Sequence, residues 1–112
     1  MSEDTQALCS AIVDQRCEEL GLDRTLIASV QYGDASATFP DDDHLGATVV
    51  SPDGYEWMIL ISDKTPMKQL DEVVTHEVLH VFFQSEGDEG EETLVNLAAK
   101  LLQDAYPFEV TI

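Results

Sequence analysis

Residues 75–83 read Thr-His-Glu-Val-Leu-His-Val-Phe-Phe, and this stretch decides how the rest of the chain is interpreted. Apolar residues flank its polar ones on both sides, which predicts a buried helix. Residues four apart lie on one face of a helix, so His76 and His80 can direct two imidazoles at one metal ion. Buried histidines need polar partners, and a metal ion supplies them.

Glu77 directly follows the first histidine, where its carboxylate can take a proton from a zinc-bound water molecule. Zinc binds imidazole nitrogen well, and two histidines with one carboxylate leave its fourth position open for water. The alternative is a pair of core histidines satisfied by hydrogen bonds. The spacing and its apolar context favour the metal site, with zinc as the ion.

The motif leaves the third protein ligand open. The remaining histidine, His44, precedes the motif, so a downstream histidine is excluded as the third ligand. Glu91 and Glu92 stand at the start of the next predicted helix, which a short antiparallel connection would bring back beside the motif. We favour Glu92, because Asn96 lies one turn further on the same face and can orient a ligand. Glu91 remains the alternative, and both can also be ordinary acids of a first helical turn.

The composition predicts one soluble domain over residues 1–112. Of the 112 residues, 44% are hydrophobic, enough for a core, and no apolar run is long enough to span a membrane. No leader segment opens the chain, so we expect a cytoplasmic location. Cys9 and Cys17 would lie about 12 Å apart along one helix, too far for a disulfide, so we expect reduced thiols.

The chain is strongly acidic, with a net charge of -18 from 23 acidic and 5 basic residues. Such a surface repels nucleic acid and anionic membranes, so we expect neither as a partner. The acids are spread along the whole chain, which favours a solvated, salt-adapted surface of a halophilic host. A surface that docks on a basic protein partner is the alternative.

The hydrophobic pattern predicts an α+β fold, in which a small twisted sheet packs against an N-terminal helix, the motif helix and a ligand-bearing helix. We expect Thr65 to cap the motif helix and Pro66 to begin it. Residues 41–44, Asp-Asp-Asp-His, predict a solvated loop, with metal binding as the alternative. The predicted helices cover residues 5–20, 65–84 and 88–105, and the predicted strands cover 26–32, 37–39, 46–50, 55–61 and 108–112.

The signature His-Glu-Val-Leu-His at 76–80, followed by Glu92 with Asn96 four residues later, resembles the gluzincin branch of the zincin metallopeptidases. The stretch 92–102 is also similar to short peptidases that cleave repressors of mobile elements, and small zincin-like proteins occur in phages. The resemblance covers about residues 55–102. It implies zinc held by His76, His80 and Glu92, with Glu77 as general base, and hydrolysis of a peptide or protein substrate.

The chain departs from that family in two ways. It is too short for a second lobe that would close a substrate cleft, and no matched position supplies the His or Tyr that stabilises the oxyanion. Tyr106 and His44 are the candidates for that role. In zincins, an edge strand before the motif helix pairs with the substrate, which assigns that role to residues 55–61.

Two other interpretations stay open at the level of sequence. The chain can be a non-catalytic acidic binding module, with a structural or degenerate zinc site, that engages a basic protein. It can also be a halophilic domain without metal.

Overall fold

The described part of the chain folds as a small α+β domain, the fold class that the sequence predicts, with three α-helices and a three-stranded mixed sheet. A computed structural model describes residues 2–33, 45–83 and 89–106. The elements in chain order are α1 (Ser2–Leu20), β1 (Ile27–Gly33), β2 (Gly46–Val50), β3 (Trp57–Ser62), α2 (Leu70–Phe82) and α3 (Glu89–Ala105). Their bounds follow the predicted ones to within a few residues, except at the start of α2.

Helix α1 covers one face of the sheet, as predicted. Its buried face includes Cys9, Ile12 and Val13, and both cysteines of the chain are buried and free. The helix ends at Leu20, and Gly21, which follows it, takes the left-handed conformation (φ 69°) that suits glycine. The Leu22 N–H then donates to the Cys17 carbonyl at 2.9 Å, which satisfies one of the last carbonyls of the helix. The predicted stop is therefore confirmed.

Strand β3 is the central strand of the sheet. It pairs parallel with β1 and antiparallel with β2, in the order β1-β3-β2. The assignment of residues 55–61 as an edge that receives substrate is therefore wrong, because both sides of β3 already make ladder hydrogen bonds. The strand that flanks it on the side of the motif helix is β2, which is in contact with α2.

Helix α2 begins later than the sequence predicts. A short 3-10 turn, Met67–Gln69, precedes it, and no side chain caps either element. The Thr65 hydroxyl donates instead to the Leu45 carbonyl (3.4 Å), so the predicted cap does not form. Pro66 has an extended ψ of 142° and stands before the 3-10 turn rather than in the helix.

The core lies between the sheet and the first two helices. Side chains of β3 that share one face, Trp57, Ile59 and Ile61, pack with α1 and α2. Helix α3 packs on α2 through a second cluster, in which Leu79 contacts Val95 and Ala99. Helix α3 therefore joins the domain chiefly through its packing on the motif helix.

Among the described residues, no helix has the length and hydrophobicity that crossing a membrane requires. Several predicted features lie outside the described residues. They are the strand at 37–39, the acidic loop with His44, the stop at 85–87, the cap at Asp88 and the C-terminal strand at 108–112.

Candidate metal centre

The two motif histidines converge on one point, as their spacing on a helix predicts. The Nε2 atoms of His76 and His80 lie 3.1 Å apart, and their ring centroids lie 4.8 Å apart. His80 is almost fully buried, with 4% of its surface exposed. The His76 side chain keeps 23% of its surface exposed. The pair therefore has one buried side and one side open to solvent.

Glu92 completes the cluster from the first turns of α3. Its Oε2 lies 3.2 Å from His76 Nε2, and its Oε1 lies 2.8 Å from His80 Nε2. The antiparallel packing of α3 on α2 brings it there, because Val95 and Ala99 are buried against Leu79. The structure thus brings together the three residues that the sequence assigns as metal ligands.

The geometry of the three donor groups fits a zinc ion. Their donor atoms lie within 4.8 Å of one another. With zinc–ligand distances of about 2.0–2.2 Å, neighbouring ligand atoms in a tetrahedral site lie about 3.3 Å apart. The two imidazole nitrogens, 3.1 Å apart, come close to that separation, and Glu92 approaches each of them with a different carboxylate oxygen, at 3.2 and 2.8 Å. Two imidazole nitrogens and one carboxylate also match the donor set of a catalytic zinc site.

Glu77 lies beside the cluster but is held by the sheet. Thr48 Oγ1 donates to Glu77 Oε1 at 2.7 Å, and it also lies 3.2 Å from the Glu77 carbonyl. Only 6% of the Glu77 surface is exposed. Burial raises the pKa of Glu77 to about 7; the Thr48 hydrogen bond opposes this shift, and the charge of Glu92 adds to it. A carboxyl with a pKa near neutrality can both accept and release a proton at working pH.

Gly46 makes room for that carboxyl. A Cβ at this position would lie 3.0 Å from Glu77 Cγ, 3.0 Å from Glu77 Oε2 and 3.0 Å from Val73 Cγ1. Gly46 and Thr48 stand two apart in β2, so both face α2. Sequence reasoning missed both residues. The sequence feature that could have identified them is a glycine followed two positions later by a threonine, in the strand that packs on the motif helix.

An open cleft of about 380 Å³ adjoins the cluster. His76 and Glu77 form one wall, and the start of β2 and the first turns of α2 form the rest. The lining residues are Leu45, Gly46, Gln69, Glu72, Val73, His76 and Glu77. One proposed ligand and the proposed base are thus both accessible from the same cleft.

A buried arginine, which sequence reasoning also missed, fixes the helices behind the cluster. Arg16 is 0% exposed and forms a double hydrogen bond with Asp71 at 2.8 and 3.1 Å. It also donates to Thr75 Oγ1 (3.0 Å), directly before His76, and to the Tyr106 carbonyl (2.8 Å) at the end of α3. Its signal in the sequence is a cation on the apolar face of α1, between Ile12 and Cys17.

Two predicted roles do not fit the structure. Tyr106 follows Glu92 by fourteen positions, which is about 20 Å along α3, and its side chain is exposed, so it cannot stabilise an oxyanion at this site. Asn96 is exposed, and within the described part of the chain it makes no hydrogen bond to Glu92 or the histidines. The side chains of Glu91 and His44 lie outside the described residues.

Comparisons of this chain with protein-family models, with curated proteins and with solved structures find no match. The functional assignment therefore depends on the geometry of the cluster, its neighbouring carboxyl and the cleft.

Proposed function

We propose that this chain is a zinc-dependent metallopeptidase of the gluzincin type. One observation carries the proposal: three donor side chains converge on a single point, and a fourth, buried carboxyl lies beside them at the same cleft. Zinc needs the first three groups, and hydrolysis needs the fourth. A metal site that served only the fold would not need Glu77.

His76, His80 and Glu92 would hold the ion. When bound, zinc lowers the pKa of a water molecule and polarises the substrate carbonyl. Both histidines offer Nε2 to the cluster, and Glu92 presents Oε2 to His76 and Oε1 to His80. The contacts of Leu79 with Val95 and Ala99 hold α3 against α2 and so keep Glu92 beside the two histidines.

Glu77 would act as the general base. Its carboxylate accepts a proton from the attacking water as the water oxygen bonds to the peptide carbonyl carbon. The same proton then passes to the amine nitrogen as the C–N bond breaks. Thr48 fixes one carboxylate oxygen, while Gly46 leaves space beside the other. The strand thereby orients the base toward the cleft without placing it among the metal ligands.

Strand β2 is the best platform for an extended substrate. It pairs with β3 on one side, and among the described residues no strand pairs with its other side. It also carries Gly46 and Thr48, the two residues that contact the base. A peptide that added to this edge would lie along the cleft wall. This assignment replaces the one made to β3.

The competing function is an acidic binding module with a structural or degenerate zinc site. The -18 charge suits a basic partner, but it does not explain why Glu77 is buried beside the cleft. A halophilic domain without metal leaves the convergence of three ligands unexplained. Both alternatives predict that a buried carboxylate can be replaced without loss of function.

We also propose a cytoplasmic location. Cys9 and Cys17 are free and buried, and burial raises the pKa of each thiol to about 11. Such thiols are inert structural residues that suit a reducing compartment.

The test of the proposed activity is zinc-dependent cleavage of unfolded proteins. The chain is stripped with a chelator, assayed by mass spectrometry of the products, and assayed again after addition of zinc. We expect no new peptide termini from the stripped protein and recovery after zinc addition. Cleavage that is equal with and without zinc would contradict the proposal.

A further inference from the structure

The cleft beside the metal centre combines an apolar floor with an acidic rim. Leu45 and Val73 supply half-buried apolar surface, while Glu72 stands exposed on α2, one turn before His76. None of the seven lining residues, all of them described, is a lysine or an arginine. A side chain that occupied this space would therefore meet apolar surface from Leu45 and Val73 and the negative charge of Glu72.

This pattern matches a long cationic side chain. Lysine and arginine lay an aliphatic stem along apolar surface and keep the charged end in water or near an anion. An acidic side chain would face Glu72 and the charge of the whole chain, which is -18. A purely apolar side chain would contact the floor but gain no attraction from the exposed carboxylate of Glu72.

We propose that this cleft accepts a lysine or arginine side chain of the substrate, and that Glu72 is the residue that selects it. The proposal rests on the proposed peptidase function, because the cleft adjoins the cluster at His76. Residues 72 and 76 are four apart on α2, so the selected side chain would enter one helical turn from the metal ligand. The preferred substrates are then segments with a basic residue next to the cleaved bond.

The experiment measures binding rather than cleavage. The 15N-labelled parent chain is titrated with N-acetyl-lysine methylamide, and with N-acetyl-norleucine methylamide as the uncharged control of similar length. We expect shifts of the amide signals of Gly46 and Val73, and binding of the lysine compound about three- to fivefold tighter than norleucine at low salt. The difference in affinity between the two compounds should decrease with added salt, because salt screens the attraction between the lysine ammonium group and the Glu72 carboxylate.

Two matched variants locate the effect. Glu72→Gln should abolish the preference for lysine, whereas Glu18→Gln, which removes the same charge from an exposed site on α1, should leave it within about 20%. Equal binding of the two compounds by the parent would overturn the proposal, and so would a lysine preference that survives Glu72→Gln or falls equally in Glu18→Gln.

The outcome is independent of the test of hydrolysis. Zinc-dependent cleavage without a lysine preference in binding would overturn only the role of the cleft. A lysine preference that depends on Glu72, in a chain that cleaves nothing, would support the cleft assignment and contradict the peptidase proposal.

Discussion

Thr48 on β2 donates a hydrogen bond of 2.7 Å to Glu77 on α2, and this contact ties the proposed base to the sheet. His76 and His80, on the same helix, turn instead toward Glu92 of α3. The motif helix thus has one polar group on its sheet side and two on its α3 side. Proton transfer and metal binding are thus assigned to neighbouring faces of one helix, held by different elements, and His76 and Glu77 both line the same cleft, so the two roles can be perturbed separately.

Gly46→Ala tests the sheet side of this arrangement. The new methyl group would lie 3.0 Å from Glu77 and 3.0 Å from Val73, closer than side chains tolerate without movement. We expect a loss of about 1–3 kcal/mol in the free energy of unfolding, and a larger relative loss of peptidase activity than of zinc affinity.

Denaturant titration and zinc titration provide these measurements. Gly33→Ala on β1 is the matched control, because a Cβ there meets no atom within 4 Å. If both variants behaved alike, Gly46 would have no special role at the base.

The α3 side is tested by removing the ligands. The parent should bind one zinc ion per chain, and His76→Ala and His80→Ala should each abolish stoichiometric binding. Glu92→Ala should weaken zinc by at least about 100-fold, more than the loss of an outer partner of a ligand usually costs.

Metal analysis of dialysed protein and competition with a zinc chelator give these values. Glu91→Ala is the control, because it removes the neighbouring acid. A larger effect of Glu91→Ala than of Glu92→Ala would move the third ligand to Glu91. Unchanged stoichiometry in both histidine variants would exclude the metal centre.

The buried Glu77 carboxyl predicts a pH dependence of the stability of the metal-free chain. Its pKa is about 7 in the folded chain, above the ordinary value of 4.5, so the folded state binds more protons between these two values. The stability that this group contributes is fully present below about pH 4.5 and is lost as the pH rises through about 7.

Glu77→Gln removes this loss, because the amide does not ionise. The unfolding free energy of the variant minus that of the parent should grow by about 3 kcal/mol from pH 4.5 to pH 8 in the presence of a chelator. The other acids are common to both proteins and cancel in the difference. A difference that stays constant with pH would show that Glu77 ionises as an ordinary surface carboxyl does.

Arg16 predicts a large structural effect away from the chemistry. Arg16→Met removes a buried cation that binds Asp71, Thr75 and the Tyr106 carbonyl, and it leaves those groups without their donor. We expect a loss of about 3–5 kcal/mol in the free energy of unfolding, with a smaller loss for Arg16→Lys, which keeps the charge but not the separate donors to Thr75 and the Tyr106 carbonyl. Urea denaturation of the three proteins gives the comparison, and Arg24→Met, at a partly exposed ion pair with Asp14, is the control. Equal losses at positions 16 and 24 would contradict the role of the buried network.

The sequence predicts the local elements and the grouping of His76, His80 and Glu92 well, because both depend on short-range periodicity. His76 and His80 are fixed by a spacing of four, and Glu92 follows once α3 is recognised as antiparallel. The strand order was not predictable in this way. Nothing in the pattern of residues 55–61 distinguishes a central strand from an edge strand, since both faces of β3 are largely apolar.

The contacts that position the base also depend on tertiary packing. Gly46 and Thr48 lie about 30 residues before Glu77, and only the pairing of β2 with β3 brings them onto α2. Arg16 lies still further away in sequence, at 59 positions from Thr75. Helix α2 begins after the predicted start at residue 65. The Thr65 hydroxyl donates to the Leu45 carbonyl, a tertiary contact, and does not cap the helix.

The most direct test of the account is a paired measurement on the parent chain and Glu77→Gln, with zinc titration and peptide cleavage carried out on the same preparations. Gln keeps the size and polarity of Glu and can still accept the Thr48 hydrogen bond, but it cannot take a proton. We predict zinc affinity within about threefold of the parent and a decrease in cleavage rate of about 10²- to 10⁴-fold, the usual contribution of a general base. Cleavage by Glu77→Gln at the rate of the parent would contradict the assigned mechanism.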